Sequence, residues 1–229
     1  MPQSPHPFVA AGAIALAVTA CGSAAMQPNT PTGAPSGVPA HERPNETQRG
    51  AKPPVPRRNS QAVGYEITLK IANAPGPFGV VAAAMTYDVE NPLCLPRLGG
   101  MSGTRVQARH SVVVELQRIA PDTYRGVAYD DMYVDEDYYG LGVCHWKLTG
   151  VGFGFKATGA PGETRFGEFL WHDDIVAERP VRAYFANLYY PRIDVADYPA
   201  EGERDLSKFR PEVRDAMFTA EFSIRKLGQ

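Results

Sequence analysis

Residues 22–62 offer almost nothing to bury, and this confines any folded core to the rest of the chain. The stretch is built from Pro, Ala, Gly, Ser, Thr and Asn, with scarcely a large apolar side chain. Burial on that scale does not offset the entropy of ordering a backbone, so the stretch is expected to be disordered. About forty residues of flexible chain span roughly 35 Å root-mean-square, enough to hold a domain clear of a surface. The basic end, with Arg49, Lys52, Arg57 and Arg58, reads as a solvated charge run.

What remains is a single domain over residues 63–229, and its Gly, Pro and Asp punctuation is that of a β protein. Residues 65–71 (YEITLKI) alternate apolar and polar, and residues 112–117 (VVVELQ) do so with some blurring; both predict half-buried strands. Pro121 and Asp122 separate the second run from residues 124–129 (YRGVAY), the pattern of a hairpin. Further strands are expected at residues 79–89, 143–156, 165–171, 181–188 and 217–225. Only residues 205–216, with Leu206, Phe209 and Val213 at helical spacing, suggest a short helix, which Pro211 limits. The expected fold is mainly β: a β-sandwich-like single domain with one short helix, after a disordered N-terminal tether.

Ahead of the tether, residues 8–20 (FVAAGAIALAVTA) form an apolar run too short to span a bilayer as a stable helix, and they read as the core of an export signal. Val18, Thr19 and Ala20 lead straight into Cys21, which resembles the bacterial lipobox. A departure lies upstream, where residues 1–8 (MPQSPHPF) hold no Lys or Arg although signal peptides are positive there. The resemblance implies a lipoprotein signal peptide over residues 1–20, lipidation of Cys21, and a tether over residues 21–62. Gly22 in place of Asp after the cysteine implies the outer membrane, with the domain facing the periplasm and meeting the membrane through its lipid anchor only. Once Cys21 is assigned to lipid, Cys94 and Cys144 remain and are free to pair in an oxidising periplasm. Such a bridge closes a loop of about fifty residues and contributes roughly 4 kcal/mol in the chain-entropy account. The alternative is a reactive Cys144 with His145 as its base, although neighbours on a strand point to opposite faces and share a proton poorly.

A formal charge of -2 and a pI near 6.2 leave no basic stripe to neutralise a phosphate backbone, so nucleic acid is not an expected partner. Catalytic motifs fall short one by one. Gly100, Met101, Ser102, Gly103 and Thr104 lack the closing glycine and the strand-to-helix setting of a nucleophile elbow. Gly150, Gly152 and Gly154 alternate with Val151 and Phe153 and no helix follows, which suits a bulged or closely packed strand rather than a phosphate cradle. His110, His145 and His172 stand singly, without the spacing of zinc ligands. No catalytic residue, metal ligand or cofactor is therefore expected, and an enzyme whose residues are assembled only by the fold stays as an alternative.

The most unusual block is residues 129–146 (YDDMYVDEDYYGLGVCHW), where acidic residues alternate with tyrosines. Its carboxylates do not follow the spacing of a calcium loop, and as charges alone they make a solvated turn. Rigid amphipathic aromatics beside charge are what protein interfaces use as anchors. Asp131, Tyr133, Asp135, Glu136, Asp137, Tyr138 and Tyr139 are accordingly candidate partner-binding residues, and Trp171 with Asp173 forms a second group of the same kind. The lipobox, the Pro-rich tether and a β domain carrying MYVDEDYYGLGVCHW together resemble lipoproteins that serve as immunity partners of type VI secreted phospholipases. That resemblance covers the overall organisation and this one block. It implies an inhibitor, not an enzyme, which captures an incoming phospholipase before it reaches membrane phospholipid. A disulfide would lower the ordering cost of such binding, and an acidic loop would steer a basic partner. An envelope ligand-binding or assembly lipoprotein is the competing expectation.

Overall fold

In the computed structural model, which describes residues 54–98 and 103–228, alternation of side chains sorts the strands into the two halves of a sandwich. The first strand, β1 (Gly64–Ala72), buries Tyr65, Ile67, Leu69 and Ile71 and turns Glu66, Thr68 and Lys70 to the other face. It lies at the centre of a five-stranded sheet, with β5 (Thr123–Tyr129) and then β4 (Gln117–Ala120) on one side, and β10 (Met217–Lys226) and then β8 (Val181–Ala186) on the other. The second sheet runs β3 (Arg109–Val114), β2 (Val80–Val89), β6 (Trp146–Lys156), β7 (Arg165–Trp171) and β9 (Pro199–Glu201). Its β7–β9 pair is parallel, and the other pairings within the two sheets are antiparallel. The mainly β sandwich with one short helix is thus the fold of this chain.

Three local readings need correction. The apolar run at residues 112–117 is not one strand: β3 ends at Val114 in the second sheet, and β4 opens at Gln117 in the first. Glu115 and Leu116 carry the chain across, and Gly126 of β5 makes room for them. A Cβ there would stand 2.6 Å from Val114 Cγ1 and 2.8 Å from Leu116 Cδ2. Residues 205–216 form no α-helix but two short 3-10 turns, Leu206–Lys208 and Pro211–Val213, because Pro211 supplies no N–H to continue a helix. The α-helix is instead α1 (His172–Val176), directly after β7. Ordered chain also begins upstream of Val63. Arg58 bridges Tyr133, Asn59 N–H donates to Met132 O at 2.7 Å, and Val134 N–H donates to Arg57 O at 2.9 Å. Backbone pairing holds this segment, which no apolar pattern could reveal. Cys21, the signal region and residues 22–53 of the expected tether lie outside the described residues.

The glycine-rich strand is bulged, as its pattern suggested. Gly150 pairs with Thr86 and Leu148 with Tyr87, so Thr149 is an extra residue, and Leu148 and Val151 are both buried. Inside the sandwich the sheets meet over phenylalanine. Phe78 packs edge-on against Phe155 at 5.1 Å and Phe166 at 5.6 Å, and Phe185 stacks on Phe218 at 5.1 Å.

One charged side chain points into this layer. On β7, Glu168 falls between the buried Phe166 and Leu170 and is only 6% exposed. Arg204 Nε donates to Glu168 Oε1 at 2.9 Å, while its Nη1 reaches the buried Asp174 Oδ2 at 2.8 Å and its Nη2 donates to Phe169 O at 2.9 Å. Burial pushes the Glu168 carboxyl up, and Arg204 holds it back. Asp174 is also desolvated, yet Arg204 and Arg179 keep its carboxyl below the ordinary range. Removing one partner of a buried ion pair leaves an uncompensated charge and costs roughly 3 kcal/mol. Arg204→Ala is expected to lose about that much at neutral pH in urea unfolding. Because the folded-state pKa of Glu168 is raised, its protonation favours the folded form as pH falls, and loss of Arg204 raises that pKa further. The deficit should therefore shrink between pH 7.5 and pH 5; a pH-independent deficit would show that Glu168 does not respond to Arg204.

Candidate binding face

A buried disulfide joins two loops at one end of the sandwich. Cys94 closes the 3-10 turn Pro92–Cys94 after β2, Cys144 precedes β6, and the two are bonded with their Cα atoms 5.3 Å apart. Leu95 and Ala108 are buried with them, and Val89, Tyr138, Tyr139 and Trp146 pack around this small cluster. The expected pairing is present, and it removes the thiol that a Cys144 nucleophile would need. His145 instead turns Nδ1 to Asp135 Oδ2 at 2.7 Å. Asn91 adds a second tie between the loops, donating to Val143 O at 2.7 Å and accepting the His145 N–H at 2.8 Å.

Around this bridge the acidic block folds back on itself, and its carboxylates hold it in shape. Asp131 accepts the Val63 N–H at 2.6 Å through Oδ1 and the Asn59 side-chain amide at 3.0 Å through Oδ2. Asp135 Oδ1 accepts the Trp146 N–H at 3.0 Å. Glu136 pairs with Arg57 Nε at 3.2 Å. Asp137 caps the tip, accepting the N–H groups of Tyr139 at 3.3 Å and Leu141 at 3.0 Å. Although desolvated, its carboxyl is held below the ordinary range by the N–H groups of Gly142, Leu141, Tyr139 and Gly140. Gly140 and Gly142 take φ of 70° and 103°, a region in which a side chain is strained.

The tyrosines divide. Tyr133 is buried, with its ring 5.0 Å from Tyr87 and 5.5 Å from Trp146, so it packs beneath this end. Tyr138 is half-buried; its hydroxyl donates to Val134 O at 2.6 Å and accepts the Arg57 N–H at 3.1 Å. Tyr139 is half-buried against the disulfide cluster. Trp171 is 57% exposed and leans edge-on against Phe169 at 4.6 Å. With Asp173 it borders an open depression of about 370 Å³ that Asp88, Lys147 and Thr149 also line. His172 Nε2 meets Asp130 Oδ1 at 2.9 Å, which joins this second group to the start of the acidic block.

The sequence reading overlooked the aliphatic part of this end. Leu141 and Val143 flank Gly142 at the tip and are 44% and 46% exposed; Leu93, beside Cys94, is 74% exposed, and Leu98 is 49% exposed. Exposed apolar side chains are ordinary when scattered, but these stand on two loops that a covalent bond holds together. For Leu141 a signal was available, since it lies between the turn glycines Gly140 and Gly142, where no strand gives it an inner face.

Among the described residues no group of three or more His, Cys, Asp or Glu is placed to hold a metal ion. Gly100, Met101 and Ser102 lie outside the described residues. Compared with protein-family models, curated proteins and solved structures, the chain finds no match.

Asp131 is a joint of this end, because its carboxylate binds Val63 and Asn59 together, beside the backbone bonds from Asn59 N–H to Met132 O and from Asp130 N–H to Val63 O. Hydrogen bonds to a charged acceptor contribute about 1.5–3 kcal/mol each. Trypsin should therefore cut after Arg57 or Arg58 several-fold faster in Asp131→Ala, with the disulfide intact. Equal cleavage rates would show that the carboxylate does not hold the upstream segment.

Proposed function

We propose that this domain is a protein-binding inhibitor: the immunity partner of a toxic secreted phospholipase, held by a lipid on Cys21 at the periplasmic face of the outer membrane. The observation that carries the protein-binding part is the disulfide-joined face, with Leu93, Leu98, Leu141 and Val143 exposed beside the Asp137 turn. Apolar side chains inside a polar rim, on loops ordered before any partner arrives, are favourable for protein recognition. The choice of a phospholipase and of the lipid anchor is supported by the resemblance carried by the lipobox, the tether and the block at residues 129–146. The Cys94–Cys144 bond supports an oxidising compartment.

Such an inhibitor would work by covering. A phospholipase exposes apolar surface around its active site to receive acyl chains, and the four aliphatic side chains are complementary to a surface of that kind. Glu136 and Asp137 at the rim add long-range attraction for a basic partner. A second reading, an envelope lipoprotein that binds a small ligand, is favoured by the depression beside the exposed Trp171. A solute that quenches Trp171 fluorescence with no protein partner present would support it.

The test is to mix the purified mature chain with its co-encoded secreted phospholipase and to measure both complex formation and residual lipase activity. Leu141→Asp combined with Val143→Asp is expected to weaken the complex on the order of 100-fold, as buried interface anchors do. Ile119→Asp, at an exposed position on β4, should leave binding unchanged. Neither complex nor inhibition would end the inhibitor reading, and equal effects at the two places would move the interface elsewhere.

A further inference from the structure

The outer face of the first sheet carries a charge pattern that interior packing does not require. Lys70 of β1 stands opposite Glu221 of β10, and Glu221 stands opposite Arg182 of β8. Arg182 Nη2 lies 3.1 Å from Glu221 Oε1. A neighbouring row repeats the arrangement, with Glu66 Oε1 3.1 Å from Arg225 Nη2 and Glu66 Oε2 3.7 Å from Arg125 Nε. Each row sets one carboxylate among two cations, so each row keeps a surplus positive charge. Cross-strand ion pairs help fix register, but equal numbers of each sign would do that.

Two more guanidinium groups stand at the edge of this face, locked from behind by buried carboxylates. Arg179 Nη1 meets Asp174 Oδ1 at 2.6 Å, and the Arg179 side chain is still 60% exposed. Arg204 is fixed by Glu168 and Asp174. Lys70, Arg179, Arg182 and Arg204 line one open groove of about 760 Å³, in which Glu221 is the one carboxylate among the lining residues. Thr68, Thr123 and Ser223 place hydroxyl groups between the cations. The Arg204 fork is taken up by Glu168, Asp174 and Phe169 O and only walls the groove; the exposed Arg179 and Arg182, a lysine and hydroxyl groups on an open surface are the complement of phosphate esters. The chain as a whole is slightly acidic, with a formal charge of -2, so this surplus is segregated to one face.

We infer that the outer face of the first sheet binds the headgroup phosphates of anionic phospholipid and lays the domain against a membrane surface. This adds a contact to the lipid anchor, which the sequence reading took as the sole link to the membrane. The groove lies on a sheet face and the disulfide bridge at an end of the sandwich, so both surfaces are available at once.

The experiment uses the chain from residue 21 onward with Cys21→Ser, so that neither an acyl group nor the apolar run at residues 8–20 masks the effect, and vesicles of phosphatidylglycerol with phosphatidylcholine or of phosphatidylcholine alone. Binding is expected to the anionic vesicles only and to vanish near 1 M salt, where screening reaches about 3 Å. Each cation removed should lower the partition on the order of fivefold. Lys70→Gln with Arg182→Gln should therefore lose roughly 25-fold, while Lys147→Gln, in the second sheet, should not change it. If the double variant fails a melting check, Lys70→Gln alone and the salt titration of the parent chain decide. Equal partition to both vesicle types, salt-insensitive binding, or an equal effect of Lys147→Gln would overturn the inference. Saturable binding of inorganic phosphate without any vesicle binding would overturn it in favour of a free-anion site. No phospholipase enters this test, so it stands or falls apart from the inhibitor reading.

Discussion

The two sheets are held in register by a shared aromatic layer, and every functional surface is positioned relative to it. Phe155 and Phe166 from the second sheet stack with centroids 6.0 Å apart, Phe185 and Phe218 from the first stack at 5.1 Å, and Phe78 touches both sheets, edge-on to Phe155 and tilted against Phe218. Pairs of this kind contribute about 0.5–1.5 kcal/mol beyond the area they bury. The layer is continuous enough to include one carboxylate, Glu168, provided that Arg204 accompanies it. With the inner faces committed in this way, chemistry is left to the two outer faces and to the loops at the ends.

At one end the loops behave as part of the framework. The Cys94–Cys144 bond, the Asn91 hydrogen bonds and the turn capped by Asp137 together leave the exposed aliphatic residues little freedom. A surface ordered in advance loses less entropy on association than one that must be ordered by its partner. The acidic residues therefore act mainly in shaping this end, and the exposed surface they frame is aliphatic. That division of labour fits a binder of apolar protein surface better than it fits recognition by charge alone.

The fold was legible where one face of a strand is buried and the other is not. Residues 65–71 alternate because Ile67 and Leu69 must face the core, and β1 follows that pattern. The run at residues 112–117 misled because three consecutive valines satisfy either sheet, so the crossover after Val114 leaves no trace in the pattern. Leu206, Phe209 and Val213 match helical spacing, yet Leu206 and Val213 belong to two separate 3-10 turns and Phe209 ends the first of them. At the candidate face, the Asp and Tyr residues were visible by type but their partners were not. Asp131 reaches Val63, 68 positions away, and Glu136 reaches Arg57, 79 positions away. Leu93 and Val143 were hidden for the opposite reason, because an aliphatic side chain in a β protein reads as core until its exposure is known.

Whether the disulfide-joined end is a protein-binding face can be read from hydrogen exchange by mass spectrometry. The chain is compared alone and in complex with its co-encoded phospholipase. Protection confined to peptides covering Leu93 to Leu98 and Asp137 to Val143 is the predicted result. Protection over the outer face of the first sheet at Lys70 and Arg182, or no change at the disulfide-joined loops in a complex that does form, would contradict it.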